Sequence, residues 1–234
     1  MQTKSSPLLC ELHAHSTWSD GALSLRQLAD LYGRSGFDVL AVTDHAPRDP
    51  QQGIQAWNHQ AYLAAIDDEI ERAHRLYGLL IIPGLELTYD DEHPARAAHA
   101  VAVGLRSYVA VAEGIETMLR AARAHGAALV AAHPYPLEAA GATRATAAFA
   151  SEPERWSSHV DRYELFNRHT LFSWVADAGL PVVANGDFHR VEHLHTWKTM
   201  LPCAKDEEAV VEYLRSARPT YLVQLRPERH LRAA

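Results

Sequence analysis

Short apolar runs that alternate with amphipathic stretches constrain this chain more than any other feature. Residues 8–12 read as a first strand. Ser24, followed three residues later by Gln27, forms a capping box, and Leu25, Leu28, Ala29 and Tyr32 then recur with helical spacing up to a stop at Gly36. Residues 39–43 form a β-branched run, and a helix over 57–77 carries Ile66, Ile70, Ala73 and Tyr77 on one face. Strands are expected over 79–82, 99–103, 127–132, 162–166 and 181–184, and helices where Ile115, Met118, Leu119 and Ala122 lead to a stop at Gly126, over 169–178 and after an N-cap at Asp206. The alanine-rich stretch 139–150 reads as a helix. About ten polar residues without helical period separate the third and fourth strands, too few for a parallel crossover, so these two should form an antiparallel hairpin. The pattern predicts an α/β fold with a largely parallel sheet of six or seven strands, either open or closed into a distorted barrel.

With 234 residues the chain has material for one well-cored domain. It carries no apolar run long enough for a membrane helix and no basic-then-apolar start, so the expected location is cytoplasmic. Cys10 and Cys203 read as small buried thiols. The formal charge of −7 and the lack of a Lys/Arg stripe argue against a stable nucleic-acid complex. Three divalent cations would bring that charge close to neutrality.

Fifteen histidines are the unusual number. His13 and His15 end the first strand and, two apart on extended backbone, point the same way. Asp20 follows in a Ser-Asp-Gly turn. Asp44 and His45 end the second strand and Glu86 the third. His99 opens the fourth, which the hairpin would bring beside Glu86. His133 ends the fifth, Glu164 and Asn167 the sixth, and Asp187 and His189 the seventh. Seven strands thus deliver acids, imidazoles or amides to one rim, where α/β folds build their sites. Imidazole plus carboxylate without thiolate suits zinc, manganese or iron. Nine candidate ligands exceed what one ion takes, which implies two or three ions sharing a carboxylate.

The series His-Ala-His-Ser, Ser-Asp-Gly, Thr-Asp-His, Gly-Leu-Glu, His99, Ala-His-Pro, Glu-Leu-Phe-Asn and Gly-Asp-Phe-His resembles the PHP (polymerase and histidinol phosphatase) family, from about Leu8 to His189. The resemblance implies a distorted (β/α)7 barrel spanning residues 1–234, with a metal cluster at its C-terminal rim. It also implies three sites. His13, His15, Glu86 and Asp187 would hold one ion, Glu86 would bridge to a second held by His99 and His133, and Asp20, His45 and His189 would hold a third. Gly186 stands where the family more commonly has Ser, a change expected to matter little.

The expected activity is hydrolysis of a small phosphate ester (a sugar, nucleotide or amino-alcohol phosphate) by a hydroxide bridging two ions, with Asp187, Glu86 and His189 as the central catalytic side chains. No polymerase segment is evident, which argues against a replication subunit. Lys198, Arg190, Arg168 and Arg144 are candidates to bind the phosphate, Lys198 foremost. Glu164 and Asn167 are expected to support the ligands, and His193 and His195 could protonate a leaving group. Two other classes stay open: a metallohydrolase of C–N or C–O bonds, and a metal-binding module without turnover.

Overall fold

The computed structural model describes residues 6–49, 52–136, 138 and 146–227. Eleven strands form one curled sheet: β1 Leu8–Glu11, β2 Val39–Val42, β3 His45–Pro47, β4 Leu80–Tyr89, β5 Ala98–Val103, β6 Ala128–Ala132, β7 Arg162–Asn167, β8 Thr170–Leu171, β9 Val182–Asn185, β10 Trp197–Leu201 and β11 Tyr221–Gln224. Seven helices accompany them: α1 Leu25–Arg34, α2 His59–Tyr77, α3 Ile115–Ala124, α4 Ala148–Ser151, α5 Pro153–Trp156, α6 Ser173–Asp177 and α7 Glu207–Arg215. The ladder runs β11-β10-β1-β2-β4-β5-β6-β7-β8, with β3 beside β4 and β9 beside β7.

Helix starts follow local chemistry. Ser24 and Gln27 make the reciprocal capping box of α1, and Asp206 accepts the Ala209 N–H to start α7. The central strands β2, β4, β5 and β6 are buried on both faces, which is why they read as unbroken apolar runs. Alternate residues serve two clusters. Cys10, Leu12, Val39, Ala41, Ile82, Val101, Val130 and Val183 pack together with Val210, Tyr213 and Leu214 of α7. Leu40, Val42, Ile81 and Leu129 face the opposite way, against Leu28, Tyr32, Ile66 and Met118 of α1, α2 and α3.

The α/β fold expected from the sequence is present as a curled sheet, but the strand order is mixed where the pattern predicted a largely parallel sheet. The β4–β5 hairpin forms as expected, with Thr88 opposite His99 and Gly84 opposite Val103. Its reversal also makes β5 antiparallel to β6. Beside β1, β10 runs antiparallel to it and β11 antiparallel to β10, with α7 between these two strands in sequence. The helix expected over 169–178 is only α6, because residues 170–171 turn back as β8 against β7. Of the helix expected over 139–150, only α4 falls within the described residues in helical form.

Two local contacts draw the curl together. Ala14 and Phe188 form an isolated parallel bridge in which His15 N–H donates to the Phe188 carbonyl and Phe188 N–H to the His13 carbonyl. Further down, the Thr199 hydroxyl of β10 donates to the Ala184 carbonyl of β9 and accepts its N–H, both at 2.8 Å. A side chain there does what a strand ladder does elsewhere.

Candidate metal centre

The curl brings all nine predicted ligands to one rim. Glu86 lies at its centre, fully buried in β4. Its Oε2 is 3.4 Å from both His13 Nε2 and His15 Nε2, and its Oε1 is 3.0 Å from His133 Nε2 and 3.1 Å from His99 Nδ1. Asp187 Oδ1 lies 3.6 Å from His13 Nε2, 3.5 Å from His15 Nε2 and 3.2 Å from His189 Nδ1. Asp20 Oδ1, on a more exposed side chain, is 3.2 Å from His189 Nε2 and 3.6 Å from His45 Nε2.

Three sets of potential ligand atoms are close enough to share an ion. They are His13 with His15 and Asp187, His13 with Glu86 and His133, and His15 with Asp20, His45 and His189. The partition differs from the one the resemblance implies. His15 borders two sets, and His99 joins none, because its Nε2 is turned to Asp90 at 3.1 Å.

Thr88, Thr146 and Asn185 are supports that escaped the sequence reading. Glu164 was foreseen as one: its two oxygens take His13 Nδ1 at 2.9 Å, the His133 N–H at 2.7 Å and the amides of Asn167 and Asn185. A carboxylate on Nδ1 fixes the His13 tautomer and leaves the Nε2 lone pair facing the cluster. Thr88 and Thr146 do the corresponding work at His45 and His133, with Nδ1 to hydroxyl distances of 2.9 and 3.1 Å. Asp44 accepts N–H and hydroxyl groups from Ser16 and Ser19, which ties down the turn that carries Asp20. Gly21 is required in that turn, since a Cβ there would collide with the His15 carbonyl. His193 Nδ1 accepts the His189 N–H at 3.1 Å, and burial together with the nearby Arg168 holds the imidazole down at about 4.

Three non-glycine residues adopt positive φ, and all three border the cluster: His133 at 30°, Arg168 at 53° and Asp187 at 44°. Strain of this kind, of order 1–3 kcal/mol per residue, persists only where surrounding contacts over-determine it. In the ion-free protein protons stand in for cations. Burial opposes the charged form of Asp187, yet His13, His15 and His189 hold its carboxyl well below the usual range. Burial likewise opposes charge on Glu86, and His45 and His13 outweigh it. Burial works against protonated His189 and His99 too, but hydrogen bonds to Asp187 and Asp20 push the first up to about 10, and Asp90 and Glu86 push the second up to about 9. His15 takes the opposite course, lowered to about 3 by burial and by the neighbouring His45.

The fit to metal rests on atoms left without partners. His13 Nε2 and His15 Nε2 are buried and make no hydrogen bond. Glu86 Oε2 has His45 Nδ1 at 2.8 Å, so the two imidazole nitrogens are the atoms left unpaired; such groups cost roughly 1–3 kcal/mol each, and a shared cation would satisfy both.

The phosphate candidates separate. Lys198 is corrected: it is fully buried, and its ammonium gives its protons to Glu11 Oε2, the His193 carbonyl and Thr196 Oγ1, so none is left for a substrate. Arg168 is part-exposed at the cluster's edge, 3.0 Å from Asp187 Oδ2 and donating to the Asp187 carbonyl. Arg190 is exposed just before the 3-10 turn Val191–Leu194, and Arg144 lies outside the described residues. A cleft of about 480 Å³ opens beside the cluster, bordered by Ser19, Asp20, His45, Gln52, Thr88 and His99. No helix among the described residues is long and apolar enough to cross a membrane.

A curled α/β sheet whose strand ends gather six imidazoles and three carboxylates defines a protein of metal-binding type. The chain belongs to the PHP domain family, whose sequence profile matches residues 11–167. It is 27% identical over 217 residues to the DNA polymerase/3′-5′ exonuclease PolX of Bacillus subtilis (strain 168), covering 83% of this chain and 36% of that protein, so the chain spans about a third of the relative's length. Among solved structures, a two-domain Bacteroides vulgatus protein containing a predicted PHP-like metal-dependent phosphoesterase superposes with a TM-score of 0.70 at 22% identity, over 96% of this chain and 70% of that one. A Bifidobacterium adolescentis protein assigned to the metal-dependent phosphoesterases gives a TM-score of 0.51 at 17% identity, over 80% of this chain and 90% of that one. Both likenesses concern the fold.

Proposed function

We propose that this chain is a metal-dependent phosphoesterase acting on a small phosphate ester. The observation that carries the reading is the pair of buried imidazole nitrogens without a hydrogen bond, His13 Nε2 and His15 Nε2, both 3.4 Å from Glu86 Oε2 and within 3.6 Å of Asp187 Oδ1. His13, His15 and Asp187 would hold one ion, Glu86 and His133 with His13 a second, and Asp20, His45 and His189 with His15 a third. His99 completes the second set once its ring leaves Asp90. Zinc, manganese or iron suit this donor set. Bound ions would supply water of lowered pKa and neutralise charge on phosphate oxygens.

The chain's own residues supply the rest. Glu164 and the two threonines hold the imidazoles in fixed orientation. Arg168 places a guanidinium at the cluster's edge, where it can pair with a phosphate oxygen. The cleft falls within the range of pockets that take small ligands, which favours a small ester over a polymer. Phosphodiester hydrolysis is the second reading, motivated by the exonuclease relative.

The test is phosphate release from p-nitrophenyl phosphate and a panel of metabolite monoesters by the metal-loaded protein, with bis-p-nitrophenyl phosphate and a single-stranded oligonucleotide alongside. Release from monoesters is expected, with His13→Ala and Asp187→Ala both inactive yet folded. Two or more ions bound with no ester cleaved would sink the reading, and cleavage confined to diesters would replace it with the second. A phosphorylated enzyme trapped in turnover would exclude direct attack by water.

A further inference from the structure

A further buried carboxylate, Glu11, lies behind the cluster, and neither it nor its partner Lys198 has a part in the reading above. Its Oε1 accepts the Gly186 N–H at 2.9 Å and the His13 N–H at 3.3 Å. Its Oε2 accepts Lys198 Nζ and, at 2.9 Å, the Tyr32 hydroxyl. Glu11 and Lys198 are both 0% exposed. An ion pair this deep is weak evidence for stability, because desolvation of both charges offsets their attraction. The two main-chain groups it grips are more informative. Gly186 leads directly into Asp187, whose φ of 44° needs external support, and His13 is the residue shared by two potential ion sets.

The pair also packs against the glycine. A Cβ at position 186 would collide with Lys198 Nζ and Glu11 Oε2. A side chain at this position would have to displace the ends of both members of the pair.

We propose that the buried Glu11–Lys198 pair is a positioning device for the metal centre, fixing the main-chain path through His13 and Gly186 and so the spacing between the His13 and Asp187 side chains. This rests on the metal reading above. Neither residue touches the cluster atoms themselves. Lys198 holds the Glu11 carboxylate in place, and the carboxylate holds two amides.

Zn²⁺ affinity, measured by competition with a chromophoric chelator, tests it together with the melting temperature. Removing one charge alone would strand the other, so the informative variants are doubles. Glu11→Leu/Lys198→Met removes the acceptor for both amides and is expected to fold but bind the tightest Zn²⁺ about tenfold or more weakly. Glu11→Gln/Lys198→Met keeps an amide oxygen in the acceptor position and is expected to recover most of that loss. Gly186→Ala, which displaces the pair without deleting a charge, should weaken binding in the same way and serves if the first double does not fold. Wild-type affinity in the Leu/Met double, or losses in all variants that merely follow melting temperature, would overturn the proposal while leaving the metal reading intact. Failure of the wild-type protein to bind Zn²⁺ would remove both.

Discussion

His189 and His15 sit at neighbouring positions in the cluster and titrate in opposite directions, and this fixes how the ion-free protein should respond to pH. His189, raised to about 10 from 6.5, holds a proton in the fold that the unfolded chain has already lost, so its contribution is complete below about 6.5 and disappears as pH rises through about 10. His15, lowered to about 3, is neutral in the fold while the unfolded chain takes up a proton, so stability is lost as pH falls from 6.5. Melting temperature in the presence of chelator should therefore peak near neutrality and decline on the alkaline side. Bound metal displaces the His189 proton and should flatten that alkaline decline. An ion-free protein equally stable from neutral pH to pH 10 would contradict the assignment. The ligand types were legible because an acid or imidazole at the end of an apolar run is expensive to bury without a partner. The same argument applies to Glu11, which closes the run Leu8-Leu9-Cys10 and was passed over. Lys198 was misjudged because adjacency to a strand gives a residue's position along the sheet and says nothing of what lies opposite it. Only the fold reveals that Glu11, almost the whole chain away, sits there.

At the scale of elements, sequence reading recovered the strands β1, β2, β5, β6, β7 and β9 and the caps of α1 and α7, because those signals are local. It recovered the β4–β5 hairpin from the length and polarity of the connection. It missed that β4 runs on to Tyr89, and it missed β10 and β11, whose existence depends on β1 offering a free edge. Thr199 belongs to this category: within β10 it looks like an ordinary β-branched residue, yet its hydroxyl occupies both polar groups of Ala184. Thr199→Val preserves shape and leaves a buried N–H and C=O unpaired, so a loss of about 1–3 kcal/mol is expected in urea unfolding. Stability equal to wild type would mean that the β9–β10 contact closes nothing.

At the scale of the whole molecule, the class of fold and the convergence of the rim followed from the alternation of elements. Beyond the β4–β5 hairpin the mixed strand order did not, since the antiparallel pairings of β5 with β6 and of β1 with β10 are decided between segments apart in the chain. The isolated bridge between Ala14 and Phe188 carries a consequence of its own. His13 and His15 flank it on one side of the seam, and Asp187 and His189 on the other. Any cation held between those side chains also laces the segment after β1 to the segment after β9, acting as a clasp as well as a reagent. Stripping the ions should then do more than silence chemistry. Amide exchange at His15 and Phe188, whose N–H groups form the bridge, should quicken ahead of the rest of the sheet, and the melting temperature should climb with free metal concentration. Uniform exchange across all strands on chelation would show that the seam holds without its clasp.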